Sequence, residues 1–265
     1  MRRRLPFSEF LIVVLVSLTL PAAYGQKKNT VAPQDLFNVL PSAVAPHAEA
    51  LGDRVLHAGK ERTLLTGQFV NDRGVRFPMR VVLQLPRAVG LEGLRPKMPA
   101  IVFDGKTPVY SATKEEEELL EIFSSDTAEA MLASVKDEAA VQLLGRRVKA
   151  EPQSPQNEGA PMYDIYEVGA TAPFSAAKGD RLKRYSFDSD TGLLANTQYF
   201  DETFSPPIKV EIRFSDWRRV DGSAYPGRID RLENGLLIFS WLATRIQALP
   251  RQDLSNFGVP AETGR

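Results

Sequence analysis

Hydrophobic residues recur at every second position in several stretches of the chain. Val75, Phe77, Met79, Val81, Leu83 and Leu85 share one side of a segment, while Arg76, Pro78, Arg80 and Gln84 fall on the other. Period-two alternation of this kind predicts a strand with one buried face. Asn71-Asp72-Arg73-Gly74 just before it has turn chemistry, so 62–70 is predicted to pair with it as a hairpin. Ala100 to Phe103, Asp104-Gly105 and Pro108 to Ser111 read as a second hairpin.

The period then changes. Thr113 lies three residues before Glu116, a capping box, and the acidic run Glu115 to Glu118 suits the positive end of a helix. Leu119, Leu120, Ile122 and Phe123 supply an apolar stripe. Asp126 and Glu129 repeat the capping spacing ahead of Met131, Leu132 and Val135. Two short amphipathic helices are predicted, with the acidic run as a solvated first turn.

After a polar loop at 151–161, strands resume. Met162 to Val168 is strand-like, and a second loop follows at 171–179. Arg181 to Phe187 and Leu193 to Phe200 flank the turn 188–192. Ile208, Val210, Ile212 and Phe214 alternate with Lys209, Glu211 and Arg213. Asp221-Gly222 and Asn234-Gly235 are hairpin turns. The last run, Leu236 to Ile246, is apolar on both faces in its middle and is predicted to lie under cover.

Consecutive hairpins imply antiparallel neighbours. Helices grouped together, not alternating with strands, imply an α+β fold. A long twisted sheet tends to curl, and curling around the two helices would bury both apolar faces. The expected architecture is therefore a curled antiparallel sheet wrapped around short amphipathic helices.

The first residues alter the picture of where this domain works. Arg2, Arg3 and Arg4 precede an apolar run from Phe10 to Leu20, which ends at Pro21 and Ala23-Tyr24-Gly25. This predicts a cleavable export signal over 1–25, a Pro-containing segment over 26–50, the folded domain over 51–260 and a short tail over 261–265. An uncleaved anchor is the alternative. The expected location is periplasmic or secreted.

There are no cysteines, which excludes disulfides, thiolate metal sites and acylation at a cysteine. The chain is formally neutral, and residues 1–25 hold three arginines and one glutamate, leaving net −2. That balance argues against nucleic acid as a partner and offers no polybasic membrane patch.

Catalytic patterns are sparse. The two histidines, His47 and His57, have no metal-ligand spacing. No nucleophile elbow, P-loop or dinucleotide fingerprint appears. Asp188-Ser189-Asp190-Thr191-Gly192 lacks the downstream glutamate of a calcium loop and reads as a turn. The expectation is a non-enzymatic protein without cofactor. A hydrolase using a carboxylate pair stays open, because nothing among so many acids selects two. An apolar concave face closed by helices is the physics of a lipid or acyl-chain site. A filled interior, making a structural or partner-binding module, is the other reading.

The C-terminal half resembles the LolA/LolB-like periplasmic lipoprotein-carrier superfamily, especially its outer-membrane lipoprotein-sorting branch. The resemblance rests on Tyr185 to Leu194, on Arg213 to Gly222, on Tyr225 to Ile229, and on Asp253, Phe257 and Pro260. It implies an open half-barrel with helices as a lid, holding a lipid or a lipoprotein acyl chain. The partners it implies are a lipid or an acylated protein and envelope proteins, taken up by a monomer. On this reading Phe77, Met79, Val81 and Leu83, with Ile208, Val210, Ile212 and Phe214, wall the cavity. Leu119, Ile122 and Phe123 form the lid. Arg76 and Arg80 are candidates for the carrier's cavity arginine.

Overall fold

The first predicted hairpin forms. Strand β1 (Glu61–Asn71) pairs with β2 (Arg76–Gln84) so that Phe69 faces Phe77 and Leu65 faces Val81. The turn between them is held by Asn71, whose Oδ1 accepts from the amides of Arg73 and Val75 at 3.1 and 2.9 Å. Val75, expected on the buried side, sits at this turn and is exposed. The computed structural model describes residues 42–56, 61–85, 88–93, 101–103, 113–136, 141–149, 161–171 and 180–253. The expected leader, His57, the expected strand at 108–111, most of the two polar loops and the closing motif beyond 253 lie outside these residues.

Two short helices, α1 (Ala45–Leu51) and α2 (Asp53–Leu56), precede β1. β3 (Ala88–Glu92) pairs with β2, and β4 (Ile101–Phe103) pairs with β3. The alternation analysis did not find β3, because five apolar-leaning residues flanked by Pro and Gly are too short to show a period.

The helical region follows. In α3 (Lys114–Glu121) the capping box is complete: Thr113 Oγ1 accepts from the Glu116 amide at 3.3 Å, and Glu116 Oε2 accepts from the Thr113 amide at 2.8 Å. A π-helical turn, Ile122–Asp126, then leads through extended Thr127 into α4 (Ala128–Lys136). Two expectations are corrected here. The cap of α4 is Thr127, whose hydroxyl accepts from the Ala130 amide at 3.3 Å; Asp126 is buried and has another partner. The acidic first turn of α3 is only half solvated: Glu115 and Glu117 are exposed, whereas Glu116 and Glu118 are buried.

The rest of the chain is β-structure: β5 (Val141–Lys149), β6 (Met162–Thr171), β7 (Asp180–Asp188), β8 (Leu194–Asp201) and β9 (Ile208–Ser215). A small ribbon of β10 (Arg218–Val220) and β11 (Ser223–Tyr225) comes next, then β12 (Arg228–Glu233) and β13 (Leu236–Pro250). Asn234 and Gly235 both take positive φ, 49° and 83°, as the tight turn between β12 and β13 requires.

Eleven strands form one antiparallel sheet in the order β4-β3-β2-β1-β13-β12-β9-β8-β7-β6-β5. Among the described residues its end strands β4 and β5 do not pair with each other, so the sheet is open. The α+β reading holds, and hairpin neighbours dominate. The central join is nonlocal: β1 pairs with β13, the last strand, along its whole length. β13 is not covered on both faces as expected. Phe239, Trp241 and Ala243 are buried, but Leu236 is 71% exposed and Leu237 is also exposed.

Candidate ligand-binding face

Along most strands of the sheet's middle one parity of residues is buried in the main hydrophobic cluster. Cross-strand register lines these residues up in rows. Phe77, Phe69, Trp241, Ile229 and Phe214 are successive partners across β2, β1, β13, β12 and β9. Partners in such a row stand about 4.5–5.5 Å apart, so their side chains touch. Phe69 packs against Phe239 with ring centroids 4.9 Å apart, and Phe123 from the helical region meets Trp241 edge-on at 5.5 Å.

All the residues predicted to wall the cavity or form its cover belong to a single hydrophobic cluster. Met79, Val81, Val210, Ile212, Phe214, Leu119, Ile122 and Phe123 are buried in it, and Phe77, Leu83 and Ile208 pack at its margin. Here they pack against one another. Beside them a narrow cleft, about 10 Å³ of enclosed space, is lined by Leu65, Leu83, Phe123, Phe214, Trp217 and Tyr225, with the Arg54–Glu129 pair at its side.

The same face carries charges that hydrophobic pattern alone does not reveal. Lys183 on β7 and Asp126 at the end of the π turn form an ion pair in which both side chains are 0% exposed. Lys183 Nζ also donates to Ser125 Oγ at 2.9 Å, Tyr185 Oη donates to the Ser125 carbonyl at 3.0 Å, and Thr197 Oγ1 donates to the Asp126 carbonyl at 2.7 Å. Burial pushes the Asp126 carboxyl above its usual range, with Lys183 opposing. Arg231 on β12 lies 3.7 Å from Glu118 of α3 and donates to Glu233 at 3.0 Å. Burial works against its charge, yet Tyr199, Glu118 and Glu233 together raise its pKa. Burial likewise raises the Glu118 carboxyl, against the pull of Arg231 and Lys114. At the rim, Arg54 of α2 pairs with Glu129 of α4 and lies 4.3 Å over the Tyr225 ring.

Three carboxylates on the helical side, Glu118, Asp126 and Glu129, thus meet three cations, Arg231, Lys183 and Arg54. A readable signal existed for one of them. Lys183, Tyr185 and Phe187 share a strand face at spacings of two, so if the two aromatics point inward the lysine must as well. Arg76 and Arg80 do not take this position: Arg76 is exposed, and Arg80, opposite Glu92 and ion-paired with it, falls on the other parity from Met79 and Val81. Among the described residues no group of metal-ligating side chains is assembled.

His47 joins the N-terminal helix to the sheet. Its Nδ1 lies 3.0 Å from the Gly192 carbonyl, its Nε2 lies 3.1 Å from Tyr166 Oη, and its ring stacks on Phe187 at 3.9 Å. Tyr166 Oη in turn donates to the Ala43 carbonyl at 2.7 Å. Burial lowers the His47 pKa, outweighing the hydrogen bond to Gly192. With the folded value depressed below the ordinary 6.5, the unfolded chain takes the proton first. Stability contributed by neutral His47 is therefore present above pH 6.5 and is lost as pH falls through the lower folded value. Melting temperatures are expected to drop on mild acidification, and the drop to shrink in His47→Gln. An unchanged acid slope in that variant would remove His47 as its source.

No family model matches the sequence, and no curated protein matches it. Among solved structures, the chain is similar to a LolA superfamily protein from Nitrosomonas europaea. That likeness has a TM-score of 0.51 and 9% identity, over 82% of this chain and 95% of the other. It is also similar to a domain described as an outer membrane lipoprotein-sorting protein from Vibrio parahaemolyticus. Here the TM-score is 0.50 with 7% identity, over 80% of this chain and 94% of the other. At these identities the likeness is one of fold: an open antiparallel sheet with a helical segment.

Proposed function

We propose that the protein is a non-enzymatic carrier that works outside the cytoplasm and binds an acyl chain, free or attached to a lipoprotein, on the helix-bearing face of the sheet. The helical segment, Lys114–Glu121 through Ala128–Lys136, serves as its lid. The observation that carries this reading is the single apolar cluster between sheet and helices, with an apolar cleft opening at its edge. Burying a chain there gains about 0.8 kcal/mol per methylene. The acyl chain enters as the helices move off the sheet. No described helix is long and apolar enough to cross a membrane.

Titrating the purified chain with a fluorescent long-chain fatty acid tests the reading. Saturable uptake at one site is expected. Leu83→Asp places a charge on the cleft wall at a half-buried position, so affinity is expected to fall by about tenfold or more while the melting temperature stays near wild type. Absence of saturable uptake by the unmodified protein would leave the packed, partner-binding module as the reading. Uptake that is indifferent to Leu83→Asp would place the ligand elsewhere.

A further inference from the structure

The charges beneath the helical segment identify the kind of ligand. On the sheet itself they are Lys183, Arg231, Asp201 and Glu233; the helical segment adds Glu118, Glu121 and Asp126. Without that segment, Lys183 and Arg231 lose three carboxylates and keep on the sheet only Glu233 and the buried Asp201 of β8. When a ligand's chain covers the uncovered face and excludes water, a cation left there without a partner is costly, so a ligand that brings its own anion is favoured.

The seated carboxylates also leave hydrogen-bonding capacity unused. Arg231 Nη1 and Trp241 Nε1 are buried donors without a hydrogen-bond acceptor among the described residues. Both side chains are nearly inaccessible, Arg231 at 4% and Trp241 at 0%. Arg231 is opposite Phe239 on the neighbouring strand, and Trp241 lies two residues further along it, so the two are diagonal neighbours on one face, about 7–8 Å apart. On the helical side, Asp126 Oδ2 is buried without a hydrogen-bond partner as well. Buried polar groups in folded proteins are normally satisfied. Here sheet and helical segment are joined by a polar contact that is incomplete on both sides.

Resting on the carrier reading, we propose that the ligand is an anionic amphiphile. Its head group, a carboxylate or a phosphate, accepts from Arg231 and Trp241 in the place that Glu118 occupies beside Arg231 when the helices are seated. The Glu118 carboxylate is thus a stand-in for the head group, and helix and head exclude each other electrostatically.

Three amphiphiles of equal chain length separate the possibilities: dodecanoate, dodecyl phosphate and dodecanol, each titrated by calorimetry into the full chain at neutral pH, with inorganic phosphate as a chainless probe. Charge-assisted bonds predict that the anionic chains bind about tenfold or more tightly than dodecanol. The tighter of the two identifies the head. Trp241→Phe keeps a ring against Phe123 and removes the donor; it is expected to narrow that gap several-fold. Arg231→Gln is expected to narrow it further. Equal binding of all three amphiphiles, or a gap that survives both variants, overturns the anionic head group while sparing the carrier. Binding of none of them overturns the carrier reading itself. Tight binding of inorganic phosphate alone overturns the amphiphile by showing that the chain contributes nothing.

Discussion

Asp126→Asn is expected to lower the free energy of unfolding by about 3–5 kcal/mol, because it leaves Lys183 charged and buried without its partner. Urea denaturation at neutral pH measures the loss. The reverse deletion, Lys183→Met, is expected to cost less, and less still as pH falls. The Asp126 carboxyl, already raised by burial, can then take up a proton and lose its unpaired charge. Removing both partners, with Asp126→Leu and Lys183→Met together, is expected to recover most of the loss, since a buried ion pair is often replaceable by apolar groups of similar volume. A loss below about 1 kcal/mol for Asp126→Asn would mean that the pair behaves as a solvated one, as surface pairs do.

Gly67→Ala is the second large effect. Gly67 sits at a register shift in the β1–β13 pairing, and a Cβ there would lie 2.1 Å from the Leu242 carbonyl oxygen and 3.1 Å from the Ala243 Cα. Both are backbone atoms of the paired strand, so relief requires the strands to separate locally. The expected destabilisation is at or above the upper end of the about 1–3 kcal/mol typical of overpacking. It should appear as a lower urea midpoint with loss of amide protection at the β1–β13 join, the part of the sheet that ties the first strand to the last. Wild-type protection across Thr63 to Phe69 in Gly67→Ala would show that the bulge relaxes without opening the ladder.

The alternating strands show how much of the fold was legible. Ile208 to Phe214 and Phe77 to Leu83 were correctly placed and faced, because alternation is a property of neighbours in sequence. The turns at Asp221-Gly222 and Asn234-Gly235 were legible for the same reason, each requiring positive φ at both positions. The capping box at Thr113 and Glu116 was too. β3 and β5 were not found. β3 is five residues long, and β5 carries no clean alternation because it is a bulged edge strand exposed along most of its length. Part of the apolar half of the candidate face was named, from Phe77 to Leu83, Leu119 to Phe123 and Ile208 to Phe214; Leu65, Phe69, Trp217, Tyr225 and Trp241 were not. The polar half was not named, since an isolated Lys, Asp or Arg in a strand or helix usually faces solvent.

What the sequence by itself determined is local: the strand periods, the hairpin turns, the helix cap, and hence an antiparallel α+β protein with one apolar face. Those features depend on residues a few positions apart, whose energetics the chain carries wherever it goes. Tertiary structure alone decided that β1 lies beside β13, that Asp126 abandons the helix cap to meet Lys183, and that Arg231 is enclosed between Ile212 and Phe239. Each of these joins residues that are far apart in sequence, and whether a charge is buried or solvated is settled only when the surfaces on either side of it have met.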